Sequence, residues 1–341
     1  MRRYVTPWRV LGAIAVLFAL AVLILLRIPA NQYILLPDIA HPVAPLVRVQ
    51  GARPAKSGAL YFVDVREQSA SVLDTLIPWI HQHASFVPSS VIVPPCVSAA
   101  QAAAADQQQM AFSQRVAAVV ALRKLGYHVV VKPTGVTVEQ LILGTHAPCN
   151  LQLRDVVVAV NGTPTPTVEA LHAALARVAP GAVVNLRVRR GGRTLTVPVR
   201  TVRTVDAEGH EQALVGFSSN QSAIIKLPLR VSIDAGNVGG PSAGLAFALE
   251  VMQQLGRDVT HGHRVAATGQ MELDGSVVPI GGVKQKTYGA RQAGADVFLV
   301  PAGQNARDAR RYAGPVRIIP VHSLDQALHA LATLPPPGAK S

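Results

Sequence analysis

The 341-residue sequence is poor in cysteine, aromatic residues and charge: it contains 2 cysteines, 4% aromatic residues and 15% charged residues. Two cysteines are too few for a scaffold built on disulfides, and Cys96 and Cys149 do not form the C-x-x-C pair of a metal or redox centre. The hydrophobic fraction of 49% is ample for packed cores, which excludes a mainly disordered or collagen-like chain. The length suits about two domains and a tail.

Motifs of nucleotide and metal chemistry are also absent from the sequence. No G-x-x-x-x-G-K-[ST] phosphate loop occurs, so no ATP-driven module is expected. No H-E-x-x-H occurs, and the pairs His81/His83 and His261/His263 have no third ligand nearby in the sequence. We therefore predict no metal site and no cofactor.

Basic residues are in excess: the sequence has 32 Lys and Arg against 19 Asp and Glu, which gives a net charge of +13. The basic residues are scattered singly and form no run of five or more, so nucleic acid is not expected as a partner. Attraction to an anionic lipid surface remains a further alternative.

One long hydrophobic run lies near the N-terminus. Residues 10–26 carry no charge and are flanked by four arginines: Arg2, Arg3 and Arg9 before the run and Arg27 after it. At about 1.5 Å per residue the run covers roughly 25 Å, near the length of a membrane span. The arginine-rich side of a span stays in the cytoplasm. We predict a cytoplasmic tail (1–9) and a single-pass anchor (10–27), with the body outside the cytoplasm; a cleaved signal peptide is the alternative.

The residues after this run divide into two segments before the next recognisable pattern. Residues 28–57 contain five prolines and are predicted to be a linker. Residues 58–128 are predicted to be an N-terminal α/β segment packed with the body. Outside the cytoplasm thiols can oxidise, so a disulfide between Cys96 and Cys149 is as good an expectation as two free thiols.

The stretch 129–203 is β-rich. Its order is strand, strand, an Asn161-Gly162 turn, a helix and a hairpin around residues 190–192. This order resembles a PDZ domain, although Arg154 stands where that family usually has glycine. The resemblance implies a module that adds the extended C-terminus of a peptide to its sheet as an edge strand. A spacer of the same fold without a ligand is the alternative.

A glycine-rich turn at Asn237–Pro241 precedes Ser242, which is predicted to open a helix running to about Leu255. A serine where a loop enters a helix has an exposed hydroxyl and lies beside unpaired backbone N–H groups at the positive end of the helix dipole. Such a loop suits an oxyanion hole. It also suits phosphate binding, or a serine that only caps the helix.

A second helix is predicted from Val283 to Gly294, and it carries two lysines. At 100° per residue, Lys286 shares a face with Val283, Thr287 and Ala290, whereas Lys284 lies on another face. A lysine buried in the first turn of a helix has a lowered pKa, because both desolvation and the helix dipole favour the neutral amine. A neutral lysine can take the proton of a serine hydroxyl. The alternative is a lysine whose ammonium reaches water past the helix end.

Five motifs follow one another over about residues 205 to 335: Gly240-Pro241-Ser242-Ala243-Gly244, Thr268-Gly269, Pro279-Ile280-Gly281-Gly282-Val283-Lys284-Gln285-Lys286, Ala293-Gly294 and Val297-Phe298-Leu299-Val300-Pro301. Together they resemble the proteolytic domain of Lon-type serine peptidases. The resemblance implies that Ser242 is the nucleophile and Lys286 the general base. It also implies that the Thr268 hydroxyl supports the lysine and that Gly240 and Pro241 shape the loop.

The sequence departs from the Lon pattern at two positions. Gly239 stands where many Lon proteins have an acidic residue, and Gln270 stands where the family often has Glu. These departures put in doubt any regulatory role of the missing acids.

The whole arrangement resembles the bacterial membrane-anchored PDZ-Lon proteins. The expected fold is α+β: a transmembrane helix, a PDZ-like β-rich module at 129–203, a Lon-type proteolytic domain at 204–335 and a tail at 336–341. The resemblance implies an ATP-independent serine endopeptidase that cleaves extracytoplasmic proteins or peptides. Related peptidase domains form rings, so a homo-oligomer is part of the expectation. The alternative is a membrane-tethered adaptor that binds peptides without cutting them.

Overall fold

The computed structural model describes residues 7–53, 58–142, 144–147, 149–205, 209 and 211–337. Its α-helices are α1 (Pro7–Arg27), α2 (Val72–Leu76), α3 (Ser89–Ile92), α4 (Ala99–Lys124), α5 (Val168–Leu175), α6 (Gly244–Gln254), α7 (Val283–Gln292), α8 (Gln304–Tyr312) and α9 (Leu324–Ala332). Its strands are β1 (Pro29–Pro37), β2 (His41–Pro42), β3 (Val47–Val49), β4 (Ala59–Phe62), β5 (Val65–Ser71), β6 (Ser85–Pro88), β7 (Val130–Leu141), β8 (Val156–Val160), β9 (Thr163–Pro164), β10 (Val183–Arg190), β11 (Arg193–Arg200), β12 (Val202–Val205), β13 (Glu211–Leu214), β14 (Phe217–Lys226), β15 (Val231–Ile233), β16 (Arg264–Ala267), β17 (Gln270–Met271), β18 (Val277–Val278), β19 (Val297–Pro301) and β20 (Arg317–Val321). The predicted α+β class is confirmed.

Helix α1 projects from the rest of the chain, and none of its residues is buried. Its 21 residues reach about 32 Å at 1.5 Å per residue. Among the described helices it is the one long and apolar enough to cross a membrane, by length and composition. It begins at Pro7, three residues before the predicted anchor, and residues 1–6 of the predicted tail lie outside the described residues.

The proline-rich segment 28–57 is not a linker in its described part. Strand β1 lies between β5 and β6 in an antiparallel three-stranded sheet. Three valines that follow it are at most 7% exposed and belong to the main core: Val43, Val47 and Val49. Pro29 and Pro37 are the first and last residues of β1, positions where a missing N–H is tolerated. The prediction of a linker was wrong, because these residues form strands β1 to β3 and contribute side chains to the core.

The body of the protein is built on a five-stranded sheet in the order β2-β4-β16-β19-β20. Strands β4, β16, β19 and β20 are parallel neighbours, and β2 pairs antiparallel with β4 at the edge. Helix α6 is buried along most of its length and packs on β4, while α4 packs on α6. One hydrophobic core joins Phe62 of β4, Val120 of α4 and Leu299 of β19.

The β-rich module is inserted into this body. Its sheet has the order β11-β10-β8-β7-β14, with α5 packed on it and a hydrophobic core of its own. The chain enters the module after α4 and returns to the body at β15, which pairs with β3. Strand β4 and helix α4, both within residues 58–128, belong to the body. The module extends beyond the predicted boundary at residue 203, because its sheet includes β14.

The predicted turns of the module are present. Strands β10 and β11 form a hairpin that turns at Gly191-Gly192, and Asn161-Gly162 separates β8 from β9. All four turn residues have positive φ, as such tight hairpins require. Arg154 also has a positive φ of 76°, so an arginine occupies a backbone conformation that favours glycine.

Candidate active site

Ser242 lies in the loop between β15 and α6. Gly240 in this loop has a φ of +77°, a left-handed conformation that glycine adopts without strain. Helix α6 begins at Gly244 with Ala243 as its N-cap, and no side chain caps it. Ser242 is therefore not the helix cap, one of the roles that its position in the sequence left open. Its hydroxyl oxygen instead accepts a hydrogen bond of 2.7 Å from the amine of Lys286.

Helix α4 holds the serine loop from one side. The N–H of Gly240 donates to the carbonyl of Asp106 at 2.9 Å, and the hydroxyl of Ser113 donates to the carbonyl of Pro241 at 2.9 Å. A Cβ atom at position 239 would lie 2.8 Å from the Cβ of Asp106, closer than real Cβ contacts. Glycine at position 239 thus permits the close approach of α4 to the loop.

Lys286 lies in the first turns of α7 and is 5% exposed. The helix follows Gly282, whose φ of +68° turns the chain from the preceding loop. Lys284 points elsewhere and its Nζ donates to the carbonyl of Ala84 at 2.8 Å. The helical periodicity predicts this difference between the two lysines, and their contacts agree with it.

The electrostatic environment of Lys286 favours the neutral amine. Burial lowers its pKa from 10.5 to about 8, although the nearby carboxylates of Asp64 and Glu67 act to raise it. Asp64 lies between β4 and β5, and Glu67 lies on β5. Burial in turn raises the pKa of both carboxyls. The amine therefore loses its proton within reach of neutral pH, with the Ser242 hydroxyl beside it.

The hydroxyl of Thr268 hydrogen-bonds to the backbone of Ser242. Thr268 is fully buried, and its hydroxyl donates to the backbone carbonyl of Ser242 at 3.1 Å. The N–H of Gly269 donates to the same carbonyl at 2.8 Å. The resemblance led us to expect a hydroxyl that supports Lys286. In this structure the hydroxyl holds the backbone of Ser242 instead.

Two half-buried carboxyls, Glu139 and Glu272, lie where the β-rich module contacts the body. Gln270 uses its side-chain amide to bridge them, donating to Glu139 of β7 at 3.5 Å and to Glu272 at 3.1 Å. Asn220 of β14 donates to Glu139 at 3.0 Å. The pKa of Glu272 is raised to about 7, first by burial and then by Glu139, against the hydrogen bond from Gln270. A third carboxylate at position 270 would add repulsion here, so an amide suits this position.

Glu272→Gln is expected to stabilise the protein at pH 8 and to change little at pH 4. The folded-state pKa of Glu272 is about 7, above its ordinary value of 4.5, so the folded state binds more protons across this window. The free energy of unfolding contributed by Glu272 therefore falls as pH rises from 4.5 to 7. Replacing the carboxyl should therefore increase the free energy of unfolding at pH 8 by up to about 3 kcal/mol. Urea unfolding across the pH range measures this change.

Asp274→Asn is the matched control. Hydrogen bonds from Ser276 lower the pKa of Asp274, so its loss is expected to decrease stability at pH 8, the opposite sign. Equal pH dependence of stability in Glu272→Gln and the unaltered protein would contradict a raised pKa of Glu272 in the folded state.

Cys96 and Cys149 form a disulfide. Cys96 lies in the segment just before α4, and Cys149 belongs to the β-rich module between β7 and β8. The bond therefore ties the start of the helix that holds the serine loop to the inserted module. Of the two expectations left open by the sequence, the structure contains the bonded pair.

Reduction of this disulfide is expected to destabilise the fold by about 4 kcal/mol, because the bond closes a loop with a sequence separation of 53 residues in the unfolded chain. Urea unfolding with and without reductant measures the effect. The double variant Cys96→Ala/Cys149→Ala should match the reduced protein and should not respond to reductant. An unchanged free energy of unfolding on reduction would contradict the bond.

Asp38, His41 and Asp64 form a small polar cluster near Lys286. One ligand atom of each lies within 4.8 Å of the others. One Asp38 oxygen already accepts hydrogen bonds from the Arg66 side chain and the Ile39 N–H, and His41 pairs with Asp64 at 3.6 Å. We interpret the cluster as an ion-pair group. The absence of a metal and of a cofactor stays a prediction.

Comparison with known proteins identifies two domains. Residues 215–333 match the Lon protease (S16) C-terminal proteolytic domain, and residues 123–201 match the PDZ domain. The chain carries a Lon-type proteolytic domain and a PDZ domain. The match supports a serine peptidase. The match to the Lon-type domain begins at residue 215. In the structure this domain also includes β4 and α4, which precede the PDZ domain in the sequence.

The relatives of this chain include Lon proteases from several bacteria. The chain is 40% identical over 103 residues to the Lon protease of Chloroflexus aggregans, covering 28% of this chain and 12% of that protein. It is 36% identical over 132 residues to the Lon protease of Helicobacter pylori, covering 39% of this chain and 15% of that protein. The chain thus spans well under a fifth of these relatives' length. The PDZ domain of an SdrC-like protein from Listeria innocua matches 25% of this chain and 92% of its own at 15% identity and a TM-score of 0.23.

The contacts of Gly239 and Gln270 explain why these two positions depart from the Lon pattern. Gly239 makes room for α4, whose Asp106 brings a carboxyl from a different part of the chain. Burial raises the pKa of that carboxyl. Gln270 bridges Glu139 of the PDZ domain to Glu272 of the Lon-type domain.

Sequence reasoning missed the residues that reach this site from the N-terminal segment. Asp64 and Glu67 interact electrostatically with Lys286 across more than 200 residues of sequence, and Asp106 and Ser113 hold the Ser242 loop from α4. Residues 58–128 are predicted to pack with the body, but nothing in their sequence indicates a position beside the lysine.

Proposed function

We propose that the chain is an ATP-independent serine endopeptidase that uses a Ser242–Lys286 dyad on extracytoplasmic proteins or peptides. The observation that carries the proposal is the 2.7 Å hydrogen bond between the Lys286 amine and the Ser242 hydroxyl. The amine is buried and its pKa is lowered to about 8, so roughly a quarter of it is neutral at pH 7.5. A neutral amine at this distance is a suitable base for a serine hydroxyl.

In the proposed mechanism, Lys286 takes the proton of the Ser242 hydroxyl while the oxygen attacks the scissile carbonyl carbon. The tetrahedral intermediate collapses as the peptide C–N bond breaks, and Lys286 gives its proton to the leaving amine. Water then loses a proton to Lys286 and attacks the acyl-enzyme. Breakage of the ester bond releases the new carboxyl end, and the proton returns to Ser242.

The serine loop also offers donors for the developing oxyanion. Among the described residues, the N–H groups of Ser242 and Ala243 have no hydrogen-bond acceptor, whereas the N–H of Gly240 is used by α4. Such donors typically contribute about 2.7 to 4 kcal/mol each to the stability of the transition state. Thr268 is proposed to act through the backbone carbonyl of Ser242, as a positioning residue.

The PDZ domain suggests binding of proteins or peptides, which we propose as its role towards substrates. Strand β7 lies between β8, which pairs with part of one edge, and β14, which covers the other. A peptide strand added at this end of the sheet would pair with β14, the outer strand. Assembly into a homo-oligomer and an extracytoplasmic body remain parts of the proposal.

Turnover of casein by the full chain in detergent, with ATP added or withheld, tests the proposal. Equal rates in both conditions are expected, because the sequence has no phosphate loop. Turnover that requires ATP would contradict ATP independence. Saturable binding of casein without any cleavage would favour the adaptor alternative.

A further inference from the structure

An exposed apolar turn lies next to the end of helix α1. The turn comprises α2 and the short 3-10 helix Pro78–Ile80, and we call residues 72–81 the α2 turn. Three of its apolar side chains face solvent: Leu76 is 58% exposed, Trp79 74% and Ile80 50%. Large apolar groups clustered in this way on a surface commonly mark a contact site.

The backbone places the α2 turn at the boundary of the predicted membrane span. Helix α1 ends at Arg27, and β1 begins two residues later with Pro29 opposite Ser71 of β5. The N–H of Val72 donates to the carbonyl of Ile28 at 2.9 Å. Helix α2 packs against α1. The start of the α2 turn therefore lies beside the end of α1, where the chain would leave the hydrocarbon.

The α2 turn is held in shape by polar groups on its inner side. Ser71 and Asp74 form a capping box at the start of α2. The other carboxylate oxygen of Asp74 is paired with the ring of His81 at 2.7 Å, so the two ends of the turn are joined. Pro78 prevents α2 from continuing. These contacts hold the part of the chain that carries the three exposed apolar side chains.

We propose that the α2 turn inserts into the lipid surface beside α1, as a second membrane contact of this chain. The occupant of this surface is the interfacial layer of the same bilayer that α1 crosses. Tryptophan favours this layer because its ring is apolar and its N–H is polar. With two attachments instead of one, the body has a fixed orientation to the membrane. The inference rests on the proposed membrane span and is independent of the proposed chemistry.

Tryptophan fluorescence tests the insertion, since the sequence has only two tryptophans, Trp8 in α1 and Trp79. The Trp8→Phe variant of the full chain, reconstituted in phosphatidylcholine vesicles, leaves Trp79 as the reporter. Lipids brominated near the headgroup end of the acyl chain are expected to quench Trp79 by roughly twofold, and lipids brominated near the chain terminus to quench it less. Trp79→Phe leaves Trp8 as the control for α1.

The outcomes separate the two ideas. Quenching of Trp8 without quenching of Trp79 would overturn the second contact while leaving the anchor intact. Absence of quenching in both variants would overturn the anchor and the second contact together. Neither result bears on casein turnover in detergent, which tests the chemistry.

A further variant keeps Trp79 as the reporter. Leu76→Ser/Ile80→Ser in the Trp8→Phe background removes two of the three apolar side chains and is expected to reduce the quenching of Trp79, with an unchanged circular dichroism spectrum and unchanged peptide turnover. Quenching that is fully retained would show that the turn does not enter the lipid through these side chains.

Discussion

Ser242→Ala is expected to lower peptide turnover by at least roughly 10⁴-fold, the scale of losses on removal of a serine nucleophile. The substitution removes the oxygen that would form the acyl-enzyme, and it leaves Lys286 without its 2.7 Å hydrogen-bond acceptor. The fold is expected to persist, because Ser242 is only half-buried and its backbone carbonyl keeps its hydrogen bonds with Thr268 and Gly269. Initial rates with a fluorogenic peptide measure the effect.

Ser232→Ala is the matched control, since it removes a hydroxyl from the exposed face of β15 in the same part of the chain. Its turnover should equal that of the unaltered protein. Substantial turnover by Ser242→Ala, with purity established by mass spectrometry, would show that the nucleophile lies elsewhere. Thermal unfolding of both variants distinguishes loss of chemistry from loss of fold.

The local patterns around the site were readable from the sequence because they are short-range. The spacing of Val283, Lys286 and Ala290 places them on one helix face, and all three are buried. The Asn161-Gly162 turn and the hairpin at Gly191-Gly192 depend on backbone preferences of single residues. Such features need no knowledge of distant parts of the chain.

The architecture of the body depends on contacts that periodicity does not encode. Strand β4 pairs with β16 across about 200 residues, with Leu60 opposite Val265, and the PDZ domain lies between them in the sequence. The prolines of residues 28–57 suggested a linker, whereas the described part of this segment forms strands β1 to β3, and Val47 and Val49 of β3 lie in the core. Asp64 and Glu67 reach Lys286 only because this segment belongs to the body.

The sequence is compatible with Ser242 as a helix cap, because serine is among the preferred N-cap residues. The structure differs because the glycine turn delays the helix until Gly244 and gives the cap position to Ala243. The hydroxyl is thereby left for Lys286. The preference for serine at the N-cap is thus not followed at Ser242, the proposed nucleophile. Departures from such local preferences are expected at functional sites.

Lys286→Met is expected to abolish turnover and at the same time to stabilise the fold at pH 7. Methionine has no proton-accepting group, and it fills the buried site without a charge. The pKa of Lys286 in the folded state is about 8, below its ordinary value of 10.5. Between these two pH values the unfolded chain binds the proton more readily, so the free energy of unfolding decreases as pH falls from 10.5 to 8. At pH 7 the substitution should therefore add up to about 3 kcal/mol, and this gain should vanish above pH 10.5.

Two further substitutions separate the base from a general effect of charge. Lys286→Arg keeps the positive charge but cannot supply a neutral base, so it should also be inactive, and without the gain in stability. Lys284→Met, two residues away on the other side of the same helix, should retain turnover because its amine contacts Ala84 and not Ser242. For the unaltered protein kcat/KM should rise with pH through about 8 as Lys286 loses its proton. A profile that is flat from pH 6 to 9, or an inactive Lys284→Met beside an active Lys286→Met, would assign the base to another residue.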